Sequence, residues 1–521
     1  MYNSNILDPI HGIIKVSEIE KWIFSQKPFN RLRRIKQNTF LYLVFPSANH
    51  TRFEHSIGVM HLAHQIFIHA NDNYNTGLYK KKKYLLDETK EFQFFDVLSN
   101  LGDNGEQIVQ ELRIAALLHD AGHGPMSHLF DHYTITGDDF FKIIESDKSL
   151  SQYVSNFKNI IPDRQEKIEH EVISCLFVIK IIDQLKLIDN QYPTKFNPEL
   201  KTIIKKLDVY RIIQMIEPKF NNESKLIFDE LDYGDFFSSI ISSFPLDADR
   251  MDYMSRDSYF AGVNYGLYDK SRLFMSLIPI KFGKKIELAI KESGIDSVIR
   301  FIQSRTHLYN QVYFHKTNRS ANCMLDFACK ELDKDGPIID ATNYKDLEQF
   351  YWRNSDELFL WETLQEKIVD QPQKSVLFEL LERNLFKRIY QNKIVLIEND
   401  TEKLNAIKEQ LNNLKKGFEK IAKSIENENV VVIDFFPNVV FKDVKKSKIK
   451  IIGKEDDKYR LSSDWKSFNK ELKILEHEVI MFRIYLRGKF QNRETFNEKK
   501  AGVLKHFSSL IEELNNLKMS S

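Results

Sequence analysis

The sequence predicts a mainly α-helical protein with a small α+β module toward its C-terminal end, and three observations carry that prediction. Apolar residues recur at three- and four-residue spacing over 55–70, 107–119, 170–187 and 295–332, the period of a helix with one buried face. A long charged stretch over 401–427, rich in Lys, Glu, Leu and Asn, reads as a further helix that either covers a core or meets a partner subunit. Val430 to Phe435 and Lys448 to Ile452 are β-branched and apolar and read as strands before a last helical region.

Taken in chain order, the helix over 55–70 opens at His50-Thr51-Arg52-Phe53-Glu54-His55-Ser56. Tyr79 to Gly105, with its Lys80 to Lys83 run and Asp103-Asn104-Gly105, reads as a surface excursion whose charges are solvated. The helix over 107–119 ends in His119-Asp120-Ala121-Gly122-His123-Gly124-Pro125, where glycines and a proline stop it. Three units follow from these patterns: a helical domain over 1–325, a helical extension over 326–429 that either covers the core or makes oligomer contacts, and a small α+β module over 430–521 for which a regulatory role is one reading.

Composition narrows the function classes. The 521 residues hold 75 basic and 74 acidic side chains, so no global field draws the chain to nucleic acid or a membrane. Three cysteines, Cys175, Cys323 and Cys329, lie in apolar helix-like segments without CxxC spacing, which argues against a disulfide framework or a zinc ribbon. The N-terminus lacks a basic-then-apolar pattern and the apolar run from Val172 to Ile182 is too short to span a bilayer. A soluble, cytoplasmic protein is the expectation.

The His119-Asp120 doublet at a helix end is the strongest single signal. Burying such a pair is costly unless it is partnered, either by a metal or by a structural hydrogen bond. His55 upstream and Asp249 in Asp247-Ala248-Asp249-Arg250-Met251-Asp252-Tyr253 complete a mixed nitrogen and oxygen set with His119 and Asp120. Such a set suits iron, manganese, zinc or magnesium rather than a thiolate-loving metal. A second set, His123, His128, Asp131 and His170, is not assigned to the metal. His128 and Asp131 are three residues apart, close enough on one helical face for the carboxylate to orient the imidazole. His170, in Ile168-Glu169-His170-Glu171, has the reading of an ordinary helix surface residue as its lesser alternative.

The order H…HD…D resembles the HD-domain metal-dependent phosphohydrolases. Within them, Asp8-Pro9-Ile10-His11-Gly12, Phe29-Asn30-Arg31-Leu32-Arg33, Thr51 to Gly58, Leu117 to Asp131, Asp247 to Asp257 and Arg305 to Lys316 resemble the deoxynucleoside triphosphate triphosphohydrolases of the sterile-alpha-motif-and-HD type. The resemblance implies an HD-type helical core over 1–325 and cleavage of a deoxynucleoside triphosphate to deoxynucleoside and inorganic triphosphate. It implies His128 with Asp131 as the acid pair and His123 with His170 around the reacting phosphate or water. Arg52, Arg250 and Arg305 are the candidate phosphate cations, suited to forked contacts with phosphate oxygens. By resemblance, Tyr253 and Asp257 meet phosphate and the sugar 3′-hydroxyl, Tyr313 packs where a 2′-hydroxyl would sit, and Gln37 lies near sugar and base. The implied partners are deoxynucleoside triphosphates, a second magnesium carried with the triphosphate, and a homo-oligomer, with nucleotide activation and depletion of deoxynucleotide pools, including antiviral defence, as further expectations.

The chain also departs from that family. Lys36-Gln37-Asn38-Thr39 stands where Lys-Gln-Leu-Gly is usual, Arg250 where a lysine follows the metal aspartate, and Tyr309 where a base-proximal histidine is common. Ser25 and Leu7 replace the guanine-reading aspartate and asparagine, so activation specifically by guanine nucleotide is not carried over. Two rivals stay open: an HD-type phosphodiesterase or nuclease acting on cyclic nucleotides or oligonucleotides, and a nucleotide-sensing or nucleic-acid-binding assembly protein.

Overall fold

The computed structural model describes residues 2–76, 92–192, 195–242, 246–333, 336–366, 375–396, 401–426, 429–438, 450–455, 458–462 and 478–520. They form two compact units: 1–308 with 336–365 and 447–469, and 309–335 with 366–446 and 470–521.

The first unit is helical around the Arg52–Thr76 helix, which packs on Gly105–Leu118 and on Ala248–Ala261. Gly105–Leu118 is buried on nearly every side, Glu106 being the exception. A helix buried all round must satisfy its own polar groups. Arg113 does so through a bidentate pair with Glu20, at 2.6 and 2.8 Å, and Glu111 through Arg211 at 2.7 Å. An antiparallel hairpin, Leu277–Phe282 with Lys285–Lys291, turns on Gly283 at φ +60°, a conformation that glycine adopts without steric cost.

Two parts of this unit correct the sequence expectation. The segment read as a solvated excursion over 79–105 includes Gln93–Phe94, a strand pairing with Lys281 and Ile280, while Phe92 and Phe94 are buried with Ile278 and Ile452. The Lys80 to Lys83 run and Tyr79 lie outside the described residues. The strand expected over 448–452 runs Lys450–Glu455, and Lys450 to Ile452 pair in parallel with Ala289 to Lys291 of the first unit. Lys448 lies outside the described residues.

The second unit centres on a three-stranded antiparallel sheet in the order Lys387–Leu396, Glu478–Leu486, Val431–Asn438. Its core joins Ile394, Ile480, Phe482 and Ile484 of the sheet to Leu411 and Phe418 of the Thr401–Ser424 helix. The predicted periodic run over 295–332 is broken: Ile295–Leu308 gives way to a π turn at Tyr309–Tyr313 before Lys316–Asp333 resumes. Helical spacing of apolar residues survives such an insertion, so periodicity alone did not reveal the break. No helix among the described residues is long and apolar enough to cross a membrane.

Candidate metal centre and acid cluster

Four local starts and stops bring the site together in the first unit. Glu54 accepts from the Thr51 amide at 2.7 Å, capping the helix so that His55 falls in its first turn. Asp247 caps the Ala248–Ala261 helix through the Arg250 amide at 2.8 Å and places Asp249 in that first turn. The Gly105–Leu118 helix stops at His119, and tight turns follow, with the Ala121 amide on Leu118 and the His123 amide on Asp120. A Cβ on Gly122 would lie 2.0 Å from the His170 carbonyl oxygen and 2.4 Å from the Ser174 nitrogen. Only glycine lets the doublet turn lie flat on the helix that carries His170.

Two imidazoles face two carboxylates. His55 Nε2 lies 3.1 Å from Asp249 Oδ1 and 3.6 Å from Asp120 Oδ2, while His119 Nε2 lies 3.3 Å from Asp120 Oδ1 and 3.8 Å from Asp249 Oδ1. Both Nε2 atoms are buried without a hydrogen bond of good geometry. The other ring nitrogens are engaged: His55 Nδ1 meets Asp252 Oδ2 at 2.8 Å, and His119 Nδ1 meets the Ala116 carbonyl at 2.8 Å. With Nδ1 engaged in each ring, Nε2 is the nitrogen that faces the carboxylates, where it would carry a proton in the metal-free site and offer its lone pair to a bound ion, the second-sphere arrangement of a metal-binding histidine. The donor set therefore fits a divalent ion, and His55, His119 and Asp120 form a group able to hold one.

The electrostatics agree. Burial disfavours a charged His55, but hydrogen bonds to Asp249 and Asp252 outweigh it and raise the imidazole to about 10. Burial likewise opposes the charge on Asp249, yet His119 and His55 hold its carboxyl below the usual range. Two imidazoles that favour protonation between two ionised carboxylates mark a place where a cation is stabilised.

Beside this centre lies the second cluster. His123 Nε2 is 3.5 Å from Asp120 Oδ1, and the His123 ring stacks on His170 with centroids 3.5 Å apart. His170 Nδ1 lies 3.0 Å from Asp131 Oδ2 and His128 Nδ1 3.5 Å from the same oxygen. His170, open to a surface reading in the sequence, is buried. Burial, Arg52 and His170 push His123 well below its ordinary range, whereas His170 rises to about 9 because Glu171 and Asp131 outweigh its burial. His128 alone is open to solvent, its side chain 72% exposed. One atom from each of these four side chains lies within 4.8 Å of the others, so the group that the sequence reading kept apart from metal is also able to hold an ion.

The remaining expected residues divide. Arg52 joins Asp120 and donates to Ser127 at 2.9 Å. Arg250 pairs with Asp247 and is near enough to Arg305 to feel its charge, while Arg305 donates to the Tyr253 hydroxyl at 2.8 Å. The Gln37 backbone N–H donates to the His50 carbonyl, and its buried Oε1 has no partner among the described residues. Asp257, expected at the sugar hydroxyl, is buried and meets His50 Nε2 at 2.6 Å, with Phe260 stacked on that imidazole. Tyr313 belongs to the second unit, edge-on to Tyr309.

Sequence reasoning missed the residues behind the ligands. Asp252, fully buried, receives His55, His11 at 2.6 Å and the Arg256 fork at 2.8 and 2.9 Å, and a Cβ on Gly58 would sit 1.9 Å from its Oδ1. Its signal was the spacing Asp249, Asp252, Arg256 on one helical face. Arg31, fully buried, donates to the carbonyls of Ala121 and His123 and lies over the Tyr351 ring, which no local pattern announces.

Comparison with known proteins agrees with this geometry. A model described as the HD domain matches residues 52–210, and one described as the HD associated region matches residues 269–517. An uncharacterized protein of Methanocaldococcus jannaschii is 29% identical over 361 residues, covering 69% of this chain and 57% of that one, so the chain spans under two thirds of that relative's length. A protein of Dictyostelium discoideum named as a homolog of the deoxynucleoside triphosphate triphosphohydrolase SAMHD1 is 26% identical over 440 residues, 84% of this chain and 68% of that one. The crystal structure of a hypothetical protein from Aquifex aeolicus shares the fold at a TM-score of 0.57 and 22% identity, over 96% of this chain and 99% of that one. On these matches, the chain carries an HD domain over residues 52–210, holding the paired histidine and aspartate cluster, followed by an HD associated region over residues 269–517.

Proposed function

We propose that this chain hydrolyses deoxynucleoside triphosphates at the α-phosphate, releasing deoxynucleoside and inorganic triphosphate. The observation that carries the reading is the juxtaposition of the two clusters, Asp120 being shared between the metal-type pair and His123 at 3.5 Å. A divalent ion on His55, His119, Asp120 and Asp249 would neutralise phosphate charge and acidify a bound water. Neutral His123 and the stacked His170 border the reacting phosphate. His128, open to solvent and oriented by Asp131, donates the proton that the departing 5′-oxygen needs, the harder half of the reaction at neutral pH. Arg250 and Arg305, close enough to repel each other, are stabilised together by a polyanion, and Arg52 adds a third guanidinium against Asp120. Asp257, whose Oδ1 meets His50 Nε2 at 2.6 Å, is the carboxylate proposed to meet the sugar 3′-hydroxyl.

Support for the substrate class comes from the Dictyostelium relative, which is named as a homolog of a deoxynucleoside triphosphate triphosphohydrolase. Nucleotide activation fits a pocket in the second unit lined by Lys316, Arg383, Lys387 and Arg388 with Tyr485, a basic and aromatic surround suited to a nucleotide. Chromatography after incubating the purified protein and manganese with the four deoxynucleoside triphosphates, singly and mixed, tests both parts. Deoxynucleoside with intact triphosphate supports the reading, and faster turnover in the mixture supports activation. Diphosphate or monophosphate products move the cleaved bond, and no turnover in any combination sinks the proposal. On the same reading, expression in cells lowers deoxynucleotide pools, and unchanged pools count against a pool-depleting or antiviral role.

The ion-holding capacity of the second cluster favours one alternative, a phosphodiesterase using both clusters for metal. It predicts cleavage of a cyclic nucleotide or oligonucleotide while triphosphates survive.

A further inference from the structure

The turn that carries His128 is strained, and a distant carboxylate holds it. Met126 and Ser127 are consecutive non-glycine residues at φ +64° and +54°, in the left-handed region that side chains disfavour. Such a conformation persists only where the surroundings over-determine it. Asp356, only 4% exposed, supplies the fixing contacts: Oδ1 accepts from the Met126 amide at 2.6 Å and Oδ2 accepts from the Lys36 amide at 2.7 Å. One carboxylate therefore ties two loops together through their backbones. Ser127 completes the tie, donating to the Lys36 carbonyl at 2.8 Å and accepting from Arg52, which itself holds Asp120. Phe130, in the same turn, packs on Phe350, Tyr351 and Phe359 from the segment that carries Asp356.

We propose that Asp356 is a positioning residue for His128: by accepting both the Met126 and the Lys36 amides it holds the left-handed turn that aims this imidazole and Asp131 at the reaction. The inference rests on the reading of His128 as proton donor. It also assigns a task to the 336–365 segment of the HD-associated region, which lies in the same unit as the HD doublet.

The carboxylate is needed for its two acceptors. An amide at this position offers one acceptor and turns a donor toward the other backbone N–H, so Asp356→Asn breaks one of the two ties without changing volume. A glycine at 126 adopts the left-handed turn without the clamp. The test compares Asp356→Asn, Met126→Gly and the double variant with the parent for kcat, KM, bound manganese and amide exchange over 124–134.

The expected result is a fall in kcat of about tenfold or more for Asp356→Asn at unchanged KM and manganese content, since small misplacements of a reacting group cost rate rather than binding. Exchange over 124–134 rises with it, and in the Met126→Gly background the same Asp356→Asn change costs less than about threefold. Equal losses in both backgrounds, or unchanged exchange, overturn the proposal, because a merely structural role would not depend on the residue at 126. His128→Ala separates the two readings. If it leaves kcat at the parent value, the proton-donor reading falls, and exchange over 124–134 alone then decides whether Asp356 holds the turn.

Discussion

The two clusters of the site are built on opposite principles. Three of the four residues proposed for the metal-type centre are locked from behind: Asp252 fixes the His55 ring, the Ala116 carbonyl fixes His119, and Arg52 holds Asp120. The neighbouring cluster ends in His128, which is largely open and stands on a strained turn. A metal ligand must not change its protonation or direction during a reaction, whereas a proton donor must be refilled from solvent. On the proposed function, the contrast is one between a first cluster that holds and a second that exchanges.

The most severe way to break the contrast is to remove the holding cluster. His119→Ala with Asp120→Ala loses bound metal and lowers triphosphate release by on the order of a thousandfold or more, read by metal analysis and product chromatography. Retained metal in that variant contradicts the assignment. Gly122→Ala attacks the seam between the clusters, because its Cβ meets the His170 carbonyl at 2.0 Å. It lowers kcat by about a hundredfold and stability by about 1–3 kcal/mol, measured by kinetics and chemical denaturation. A variant as stable and active as the parent would mean that the turn does not need this close approach.

A smaller effect sharpens the exchange cluster. His170 is raised to about 9 in the fold, Glu171 and Asp131 prevailing over burial, so the folded protein binds its proton more tightly than the unfolded chain. That contribution is complete below the unfolded value and is lost as pH rises through about 9. Denaturation of metal-free protein therefore shows stability falling between about pH 6.5 and pH 9, and His170→Gln flattens that fall. An unchanged slope in the variant would show that His170 is not the group responsible. The gentlest test lies in the second unit: Arg383→Glu removes acceleration by mixed nucleotides and leaves the unactivated rate within about twofold, and persistent acceleration would take activation away from that pocket.

Much of this was legible in the sequence, and the failures have physical causes. Apolar periodicity revealed the Arg52–Thr76, Gly105–Leu118 and His170–Gln191 helices because each buries a face or more against neighbours. Residue type and order pointed to both clusters, since histidine beside aspartate at a helix end needs a compensating charge. The contact of Asp257 with His50 was not legible, because spacing along one helical face places Tyr253 beside it but shows nothing from an element far away in sequence. Arg31, Asp252 and Asp356 act through backbone carbonyls, another side chain and backbone amides respectively, contacts that spacing along the chain does not encode. The strand at Lys450–Glu455 showed its β character but not its partner, which lies in a hairpin far earlier in the chain.

The most direct test of the division between holding and exchange is to measure bound manganese and triphosphate release in parallel for His55→Ala and His128→Ala. The account predicts that His55→Ala loses metal and activity together, while His128→Ala keeps full metal content and loses kcat by on the order of a hundredfold or more. Loss of metal in His128→Ala, or retention of it in His55→Ala, would contradict it.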